Sequence, residues 1–427
     1  MKTYGFIKVA CASPKTMVSD CNYNTEQIME QMSIAKDEKS AVLLFPELSI
    51  TGYTCGDLFF QNTLLSSALE SLEKIKVHSQ YMDLLTVVGL PIQLNNAIYN
   101  VLAVVLNGQL LGLIPKTYLP NYNEFYEQRW FKSSFNLLDE DVNILGEWVP
   151  IGNNILFSHT SITNLKIGVE VCEDLWSPIP PSTALSLNGA TLILNGSASN
   201  DLIGKHQYRE QIISTQSAKT ISAYLYASCG YGESSTDVVF SGQCLIYENG
   251  HLLKENKRFE LESSIIYSEI DLDRLTHDRY KMTTFSDTGR AIADQTCREI
   301  IFDMTIKNDT LTRSFDPFPF VPSDKSDRNI RCEEIFAIQR NALAKRLEHI
   351  GTPKAIIGVS GGLDSTLALL VAVKTFDILN RDRKEIIGVT MPGFGTTDRT
   401  YLNAIKLMQL LGITIKAIDI SPACILH

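Results

Sequence analysis

Short apolar runs alternate with helix-like segments from residue 6 to about residue 270. The runs have the length and the β-branched content of buried strands, and the segments between them repeat apolar residues at helical spacing. Strands are predicted over 6–11, 41–45, 84–90, 166–171, 191–195 and 223–228, with hairpins at 99–106/110–114 and at 238–247 before Asn249-Gly250. Helices are predicted over 25–39, 63–80, 182–188 and 205–220. Hairpins mixed with helix-connected strands predict an α/β fold of layered sheets covered by helices.

The pattern changes in the last third of the chain. Periodicity fades from residue 274, and the Pro-rich segment 316–322 breaks regular structure, so we expect a linker over 274–331. An amphipathic helix is then predicted over 332–350, and strand and helix alternate over 355–359, 365–379, 386–390, 400–411 and 414–418. This order is typical of a doubly wound parallel sheet, here incomplete. We therefore expect a first domain over 1–273 and a second over 332–427.

Composition and charge exclude several classes of protein. With 44% hydrophobic and 20% charged residues the chain is globular, and its net charge of −10 without a basic run argues against a nucleic-acid partner. Apolar runs fall short of the ~20 residues that span a bilayer, so no membrane partner is expected. The nine cysteines show no C-x-x-C spacing, which favours free, mostly buried thiols and a cytoplasmic location.

Three reactive residues each lie just beyond a predicted strand: Glu47, Lys116 and Cys172. A thiol attacks a carbonyl as its thiolate, a carboxylate can take the thiol proton, and an ammonium can stabilise the oxyanion. Each residue taken singly also has a structural explanation, as a turn cap, a solvated cation and a core thiol. The three together indicate covalent catalysis by cysteine.

The flanking sequences strengthen that interpretation. Phe45-Pro-Glu47-Leu, Pro115-Lys116-Thr-Tyr-Leu-Pro and Val171-Cys172-Glu-Asp-Leu-Trp resemble the Glu–Lys–Cys motifs of the carbon–nitrogen hydrolase (nitrilase) superfamily. The resemblance implies an αββα sandwich, with Glu47 as general base, Lys116 as oxyanion stabiliser and Cys172 as nucleophile. The superfamily often carries a second glutamate after the lysine. Glu127 is the candidate for that role here, with Glu124 as the second choice.

A second motif lies between a predicted strand and a helix, and comprises Gly358, Val359, Ser360, Gly361, Gly362, Leu363, Asp364 and Ser365. Its glycines allow the backbone to wrap an anion, its hydroxyls can donate hydrogen bonds, and Asp364 suits a bound Mg²⁺. It lacks the Gly-Lys-Ser/Thr of the common phosphate loop, and a Ser-Gly-Gly sequence alone could be a simple turn. The complete motif resembles the ATP-binding loop of ATP pyrophosphatases, which adenylylate a carbonyl oxygen and release pyrophosphate.

The two motifs in this order resemble the glutamine-dependent NAD⁺ synthetase family. The resemblance implies that glutamine hydrolysis supplies ammonia, and that ATP with Mg²⁺ activates nicotinic acid adenine dinucleotide for amidation to NAD⁺. It also implies a homo-oligomer without a permanently bound cofactor. The glutamine pocket would be formed by Tyr122, Glu173, Ser199 and Lys205, the last of which is arginine in some relatives.

Two other functions remain open from the sequence. One is a stand-alone carbon–nitrogen hydrolase whose second domain only binds nucleotide or holds subunits together. The other is amidation of a different acid, as in asparagine-synthetase-like enzymes, whose nucleophile is an N-terminal cysteine, whereas residue 2 here is lysine. Because only three strands are predicted after residue 355, we also expect a truncated second domain that makes little or no NAD⁺.

Overall fold

The computed structural model describes residues 5–137, 140–292, 295–306 and 311–426. The chain separates into two compact units, Met1–Arg313 and Ser314–His427. The α/β class predicted from the alternating pattern is confirmed in both units.

Fifteen strands and six helices lie in the described part of the first unit. The strands are β1 (Phe6–Ser13), β2 (Val42–Leu44), β3 (Leu85–Leu94), β4 (Ala97–Leu106), β5 (Gln109–Pro115), β6 (Glu140–Ile144), β7 (Glu147–Ile151), β8 (Ile155–His159), β9 (Lys166–Val171), β10 (Leu192–Ser197), β11 (Ala223–Ser228), β12 (Cys244–Glu248), β13 (His251–Glu255), β14 (Ser264–Asp271) and β15 (Arg298–Phe302). The helices are α1 (Cys21–Asp37), α2 (Asn62–His78), α3 (Pro181–Leu187), α4 (Lys205–Thr220), α5 (Leu272–Lys281) and α6 (Thr283–Ala291).

These strands form two sheets that face each other. Within the described residues, one sheet has the order β14-β1-β2-β3-β4-β5-β7-β6 and the other β13-β12-β11-β10-β9-β8-β15. Val9 and Val42 of the first sheet share one buried cluster with Val169 and Leu194 of the second, so the central core lies between the sheets. Both faces of the central strands are therefore buried, which explains why their sequences are unbroken apolar runs.

Helices cover the outer face of each sheet. Helix α1 begins after Asp20, whose carboxylate accepts a hydrogen bond from the Tyr23 N–H, and its buried Ile28, Met32 and Ala35 recur at helical spacing. These residues cluster with the outer face of the first sheet, and α3 and α4 cover the second sheet in the same way. The αββα sandwich expected from the motifs is confirmed.

Several elements differ from the sequence prediction. The stretch 274–313, expected to belong to a linker, contains most of α5, all of α6 and strand β15, which pairs in parallel with β8. Most of these residues are exposed, so they lack the apolar periodicity by which a buried element is recognised. The expected strand 238–247 is shorter, since only Cys244–Glu248 is regular.

The second unit is a small parallel sheet with helices. It comprises α7 (Lys325–Ile350), β16 (Ala355–Gly358), α8 (Leu363–Ile378), β17 (Ile386–Thr390), α9 (Asp398–Leu411), β18 (Thr414–Ala417) and α10 (Ser421–Leu426). The order β16-β17-β18 follows the chain, so a reversal of strand order does not fall among the described strands. Leu347 of α7, Phe376 of α8 and Met408 of α9 form one core with Ile386. No described helix in either unit is long and apolar enough to cross a membrane.

Candidate active site

The three reactive residues expected at strand ends lie there in the structure. Glu47 comes shortly after β2, and Lys116 and Cys172 follow β5 and β9 directly. All three side chains are buried. Glycine is needed beside Glu47, because a Cβ at Gly89 of β3 would lie 2.2 Å from the backbone nitrogen of Leu48. The close approach of β3 thus supports the turn that carries Glu47.

Lys116 links two buried carboxylates. Its Nζ donates to Glu47 Oε1 at 2.7 Å and to Glu127 Oε1 at 2.6 Å. Asn100 Nδ2 donates to the same oxygen of Glu47. Glu124, the second choice for the additional glutamate, instead accepts a hydrogen bond from Asn200 Nδ2. The structure therefore brings Glu127, and not Glu124, into contact with the lysine.

The protonation states follow from burial and these contacts. Burial lowers the pKa of Lys116, but Glu127 and Glu47 outweigh it and hold that pKa well above its usual value. Burial raises the pKa of Glu127 to about 7, against the opposing effect of Lys116. Burial, reinforced by Glu47, also raises the pKa of Cys172 far above its usual range. Burial thus favours the neutral thiol of Cys172, and the two glutamates favour the charged form of Lys116.

A neutral thiol needs a base at the moment of attack. Within the described residues, Glu47 Oε2 and Glu127 Oε2 are buried and have no hydrogen-bond partner. Glu47 Oε1 is already occupied by Lys116 and Asn100. One carboxylate oxygen of each glutamate can thus accept a further hydrogen bond or a proton.

The turn that carries Cys172 is held by Asp174, which the sequence reasoning missed. Cys172 has a φ of +45°, a left-handed conformation that is costly for a residue with a side chain. The Asp174 carboxylate accepts from the Val171 N–H at 3.0 Å, and from the N–H groups of Thr117 at 3.0 Å and Tyr118 at 2.8 Å. One buried carboxylate therefore joins the Cys172 turn to the segment after Lys116. The acidic residue two positions after the cysteine was a signal for it.

A cavity of about 400 Å³ opens beside Cys172. It is lined by all four residues expected in the glutamine pocket, Tyr122, Glu173, Ser199 and Lys205. Tyr122 Oη donates to Glu173 Oε1 at 2.5 Å, and burial raises the pKa of Glu173. Ser199 is oriented by the buried Arg209, whose Nη2 donates to Ser199 Oγ at 3.1 Å. The cavity thus has an acidic side at Glu173 and a basic side at Lys205.

Lys205 lies between aromatic rings at the start of α4. Its Nζ is 5.7 Å from the ring centroid of Phe125 and 5.6 Å from that of Trp176, and it donates to Asn200 Oδ1. Burial lowers the pKa of Lys205, with a further contribution from Arg209. The ammonium is therefore partly desolvated at the lining of the cavity.

In the second unit, the Ser-Gly-Gly loop connects β16 to α8. Ser360 Oγ lies 3.2 Å from Ser365 Oγ, and Gly361 has a φ of +85°. A Cβ at Gly361 would lie 2.1 Å from the carbonyl oxygen of Thr400, so glycine is required here. Asp364 is exposed in the first turn of α8. A carboxylate with neighbouring hydroxyls is a donor set that suits Mg²⁺ and phosphate.

A different group of metal-type side chains is less suitable. His206, Glu210 and Glu255 bring ligand atoms within 4.8 Å of one another. Gln243 Oε1 accepts from Arg209 Nη1, so Gln243 Nε2 faces His206 Nδ1 at 2.8 Å. The Nδ1 atom must therefore accept, whereas a metal-bound histidine donates a proton from its second nitrogen. This arrangement favours a hydrogen-bonded cluster over a metal centre.

Comparison with known proteins agrees with the motifs in both units. The carbon–nitrogen hydrolase family matches residues 8–280, and the NAD synthase family matches residues 335–426. The chain is 37% identical to a glutamine-dependent NAD(+) synthetase of Mycobacterium bovis over 421 residues, 98% of this chain and 62% of that protein. It is 29% identical to the Thermotoga maritima protein of the same name, over 95% of this chain and 64% of that protein.

Solved structures show the same folds. A glutamine-dependent NAD(+) synthetase from Cytophaga hutchinsonii matches 98% of this chain and 66% of its own at 21% identity, with a TM-score of 0.56. A carbon–nitrogen hydrolase from Helicobacter pylori G27 matches 65% of this chain and 94% of its own at 18% identity, with a TM-score of 0.52. The chain spans 62% of the length of the mycobacterial relatives that it matches. The resemblance drawn from the motifs is confirmed.

Proposed function

The chain belongs to the carbon–nitrogen hydrolase family, and from this premise we propose that its first unit hydrolyses glutamine through a thioester on Cys172. One observation carries the proposal: Cys172 lines a cavity of about 400 Å³, and the buried Lys116, which joins the carboxylates of Glu47 and Glu127, is close enough to Cys172 to influence its pKa. We therefore assign the roles of nucleophile, base and cation to Cys172, Glu47 and Lys116, with Cys172 facing a cavity large enough for a small amide.

Each step can be assigned to a side chain. Glu47 Oε2 takes the thiol proton as the sulfur of Cys172 bonds to the carboxamide carbon, and the Lys116 ammonium stabilises the oxyanion. The carbon–nitrogen bond then breaks, and Glu47 returns its proton to the departing nitrogen, so that ammonia leaves. A water molecule, deprotonated by Glu47, attacks the thioester carbon. Breakage of the carbon–sulfur bond and return of the proton to sulfur restore the enzyme and release glutamate.

Glu127 would support this chemistry without taking the proton. Its Oε1 accepts from Lys116, and this second carboxylate keeps the lysine charged despite burial. A permanent ammonium is a stronger donor to an oxyanion than a neutral amine. We therefore assign Glu127 to the orientation and charge of Lys116.

The cavity is suited to an amino acid with a side-chain amide. The Glu173 carboxylate, with Tyr122 bonded to it, would bind the α-ammonium group. Lys205 and the Ser199 hydroxyl would bind the α-carboxylate. Lysine preserves the positive charge of an arginine at this position but lacks its two-pronged geometry.

We infer that the second unit uses the ammonia in NAD⁺ synthesis, as the name of the mycobacterial relatives and the NAD synthase match suggest. The carboxylate of nicotinic acid adenine dinucleotide would attack the α-phosphorus of ATP, releasing pyrophosphate, and ammonia would then displace AMP. Residues 358–365 would bind the phosphates. Asp364 would hold Mg²⁺, which neutralises phosphate charge when bound.

A cytoplasmic homo-oligomer is also proposed. Eight cysteines in the described residues are free thiols, as expected in a reducing compartment: Cys11, Cys21, Cys55, Cys172, Cys229, Cys244, Cys332 and Cys424. The division into a hydrolase domain over 1–273, a linker and a synthetase domain over 332–427 remains a prediction at its boundaries.

The test combines both half-reactions. The protein is incubated with glutamine, ATP, Mg²⁺ and nicotinic acid adenine dinucleotide, and glutamate, NAD⁺ and AMP are measured. Cys172→Ala should abolish glutamate release, while Cys244→Ala, which truncates another buried thiol on β12, should not. Glutamate release that persists in Cys172→Ala would contradict the proposed nucleophile. Glutamate without NAD⁺, even with added ammonia, would contradict NAD⁺ synthesis by the second unit of this chain.

A further inference from the structure

The segment that contains Glu233 lies against the turn that follows Glu47. The partly buried Glu233 carboxylate accepts a hydrogen bond from the Tyr53 N–H at 2.7 Å and from the Thr54 N–H at 3.0 Å. It also accepts from Thr54 Oγ1 at 2.5 Å, and this hydroxyl in turn accepts from the Ser234 N–H at 2.8 Å. The two segments, distant in the chain, are therefore joined by reciprocal hydrogen bonds.

Tyr53 connects this junction to the catalytic cluster. Its hydroxyl donates to Glu127 Oε1 at 2.8 Å, the same oxygen that accepts from Lys116. Its ring packs edge-on against Phe240 with the centroids 5.8 Å apart. The side chain thus spans from the Glu233 junction to the carboxylate that contacts the catalytic lysine.

The Glu233 segment is itself firmly placed. The Thr16 N–H donates to the Tyr231 carbonyl at 3.0 Å. Gly232 has a φ of +111°, and a Cβ there would lie 1.7 Å from the Thr16 carbonyl oxygen. Only glycine permits so close an approach. Glu233 is therefore presented to the Tyr53 backbone from a rigid support.

We propose that Glu233 is a positioning residue for the hydrolase site, acting through Tyr53 on Glu127 and Lys116. The carboxylate holds the backbone of Tyr53, and the Tyr53 hydroxyl then directs Glu127 so that Oε1 faces the lysine. This inference rests on the proposed glutamine hydrolysis, and it adds two residues outside the Glu–Lys–Cys set to that site.

The test measures glutamine hydrolysis by Glu233→Gln, Tyr53→Phe and the double variant. Glu233→Gln places an amide donor against a backbone N–H, and Tyr53→Phe keeps the ring but loses the hydroxyl. We expect each single change to lower kcat roughly ten- to hundredfold, the effect of one hydrogen bond to a charged group. KM for glutamine should stay within about twofold, since neither residue lines the cavity. The double variant should be no slower than the slower single variant, because both act on one contact.

Glu269→Gln is the matched control. Glu269, on β14, likewise accepts from a threonine N–H at 3.1 Å and from its hydroxyl at 2.7 Å, in this case Thr312, but it does not contact the cluster. This variant should keep the wild-type kcat. If kcat of the double variant falls by the product of the two single effects, the two residues act independently and the route through Tyr53 is wrong. An unchanged kcat in Tyr53→Phe would also overturn this route, and that variant tests it even if Glu233→Gln fails to fold.

The two proposals can fail separately. If the wild-type protein releases no glutamate from glutamine, the proposed hydrolysis is wrong. If the wild-type protein is active and both single variants match it, only the positioning role of Glu233 is wrong. A rise in KM without loss of kcat would also contradict the positioning role, because it would show an effect on substrate binding.

Discussion

Replacement of Lys116 by methionine should destabilise the first unit in a pH-dependent manner. Methionine retains the apolar stem and removes the ammonium that contacts Glu47 Oε1 at 2.7 Å and Glu127 Oε1 at 2.6 Å. All three side chains are buried, and breaking a buried ion pair from one side costs roughly 3–5 kcal/mol. For a unit of this size, that corresponds to a fall in Tm of roughly 6–10 °C.

The sign of the pH dependence follows from Glu127. Burial already raises the pKa of Glu127 to about 7, and Lys116 is the main influence that lowers it. Without the ammonium the pKa rises further. A carboxyl group whose pKa is raised in the folded state stabilises the fold below its unfolded pKa, and this stability is lost as the pH rises through the folded value. The loss of stability caused by Lys116→Met should therefore be greatest at pH 8 and should become smaller towards pH 5.

Thermal unfolding, followed by near-ultraviolet circular dichroism at pH 5 and pH 8, measures this effect. The control Lys76→Met removes a lysine that also contacts two glutamates, Glu73 at 2.8 Å and Glu147 at 3.0 Å, but these carboxylates are solvent-exposed. Exposed ion pairs contribute about 0–1 kcal/mol, so this change should be small and nearly independent of pH.

A double variant tests the cause. Adding Glu127→Gln to Lys116→Met removes one of the two uncompensated carboxylates, and should restore much of the Tm at pH 8. If Lys116→Met lowers Tm equally at pH 5 and pH 8, the electrostatic explanation is wrong. If Lys76→Met lowers Tm as much as Lys116→Met does, burial of the ion pairs is not the deciding factor.

Two further predictions concern the proposed glutamine pocket and the Ser-Gly-Gly loop. Lys205→Met should raise KM for glutamine at least about tenfold and lower kcat less, because the proposed charge-assisted contact to the α-carboxylate is lost. Steady-state glutamate release measures both constants, and an unchanged KM would exclude Lys205 from substrate binding. Gly361→Ala should abolish the proposed ATP binding, measured by calorimetry, because the new Cβ would lie 2.1 Å from the Thr400 carbonyl oxygen. The control Gly351→Ala, at a φ of +69° with open space around it, should preserve ATP binding.

Much of the candidate site could be predicted from local sequence. Glu47, Lys116 and Cys172 each follow a buried strand, and such strands are visible as apolar runs because both their faces are covered. The Ser-Gly-Gly loop is recognisable for a similar reason, since it lies between a strand and a helix of regular pattern. These features depend on residues that are neighbours in the chain.

Other features were decided by contacts between distant segments. Strand β14 pairs with β1 along its whole length, from Phe6 opposite Asp271 to Ser13 opposite Ser264, and β15 joins the edge of the second sheet beside β8. An edge strand is partly exposed and lacks the unbroken apolar run of a central strand. Their places in the sheets therefore came only from pairing in three dimensions.

The same distinction applies to the site. The family resemblance gave Glu127 as the candidate and Glu124 as the second choice, and the tertiary structure brings Glu127 to Lys116 and directs Glu124 to Asn200. It also shows that Asp174 joins the cysteine and lysine turns. The sequence by itself determined the residue types and the strand ends that carry them. Tertiary structure alone decided which carboxylates meet the lysine, because hydrogen-bond partners are set by distances between loops that local periodicity does not encode.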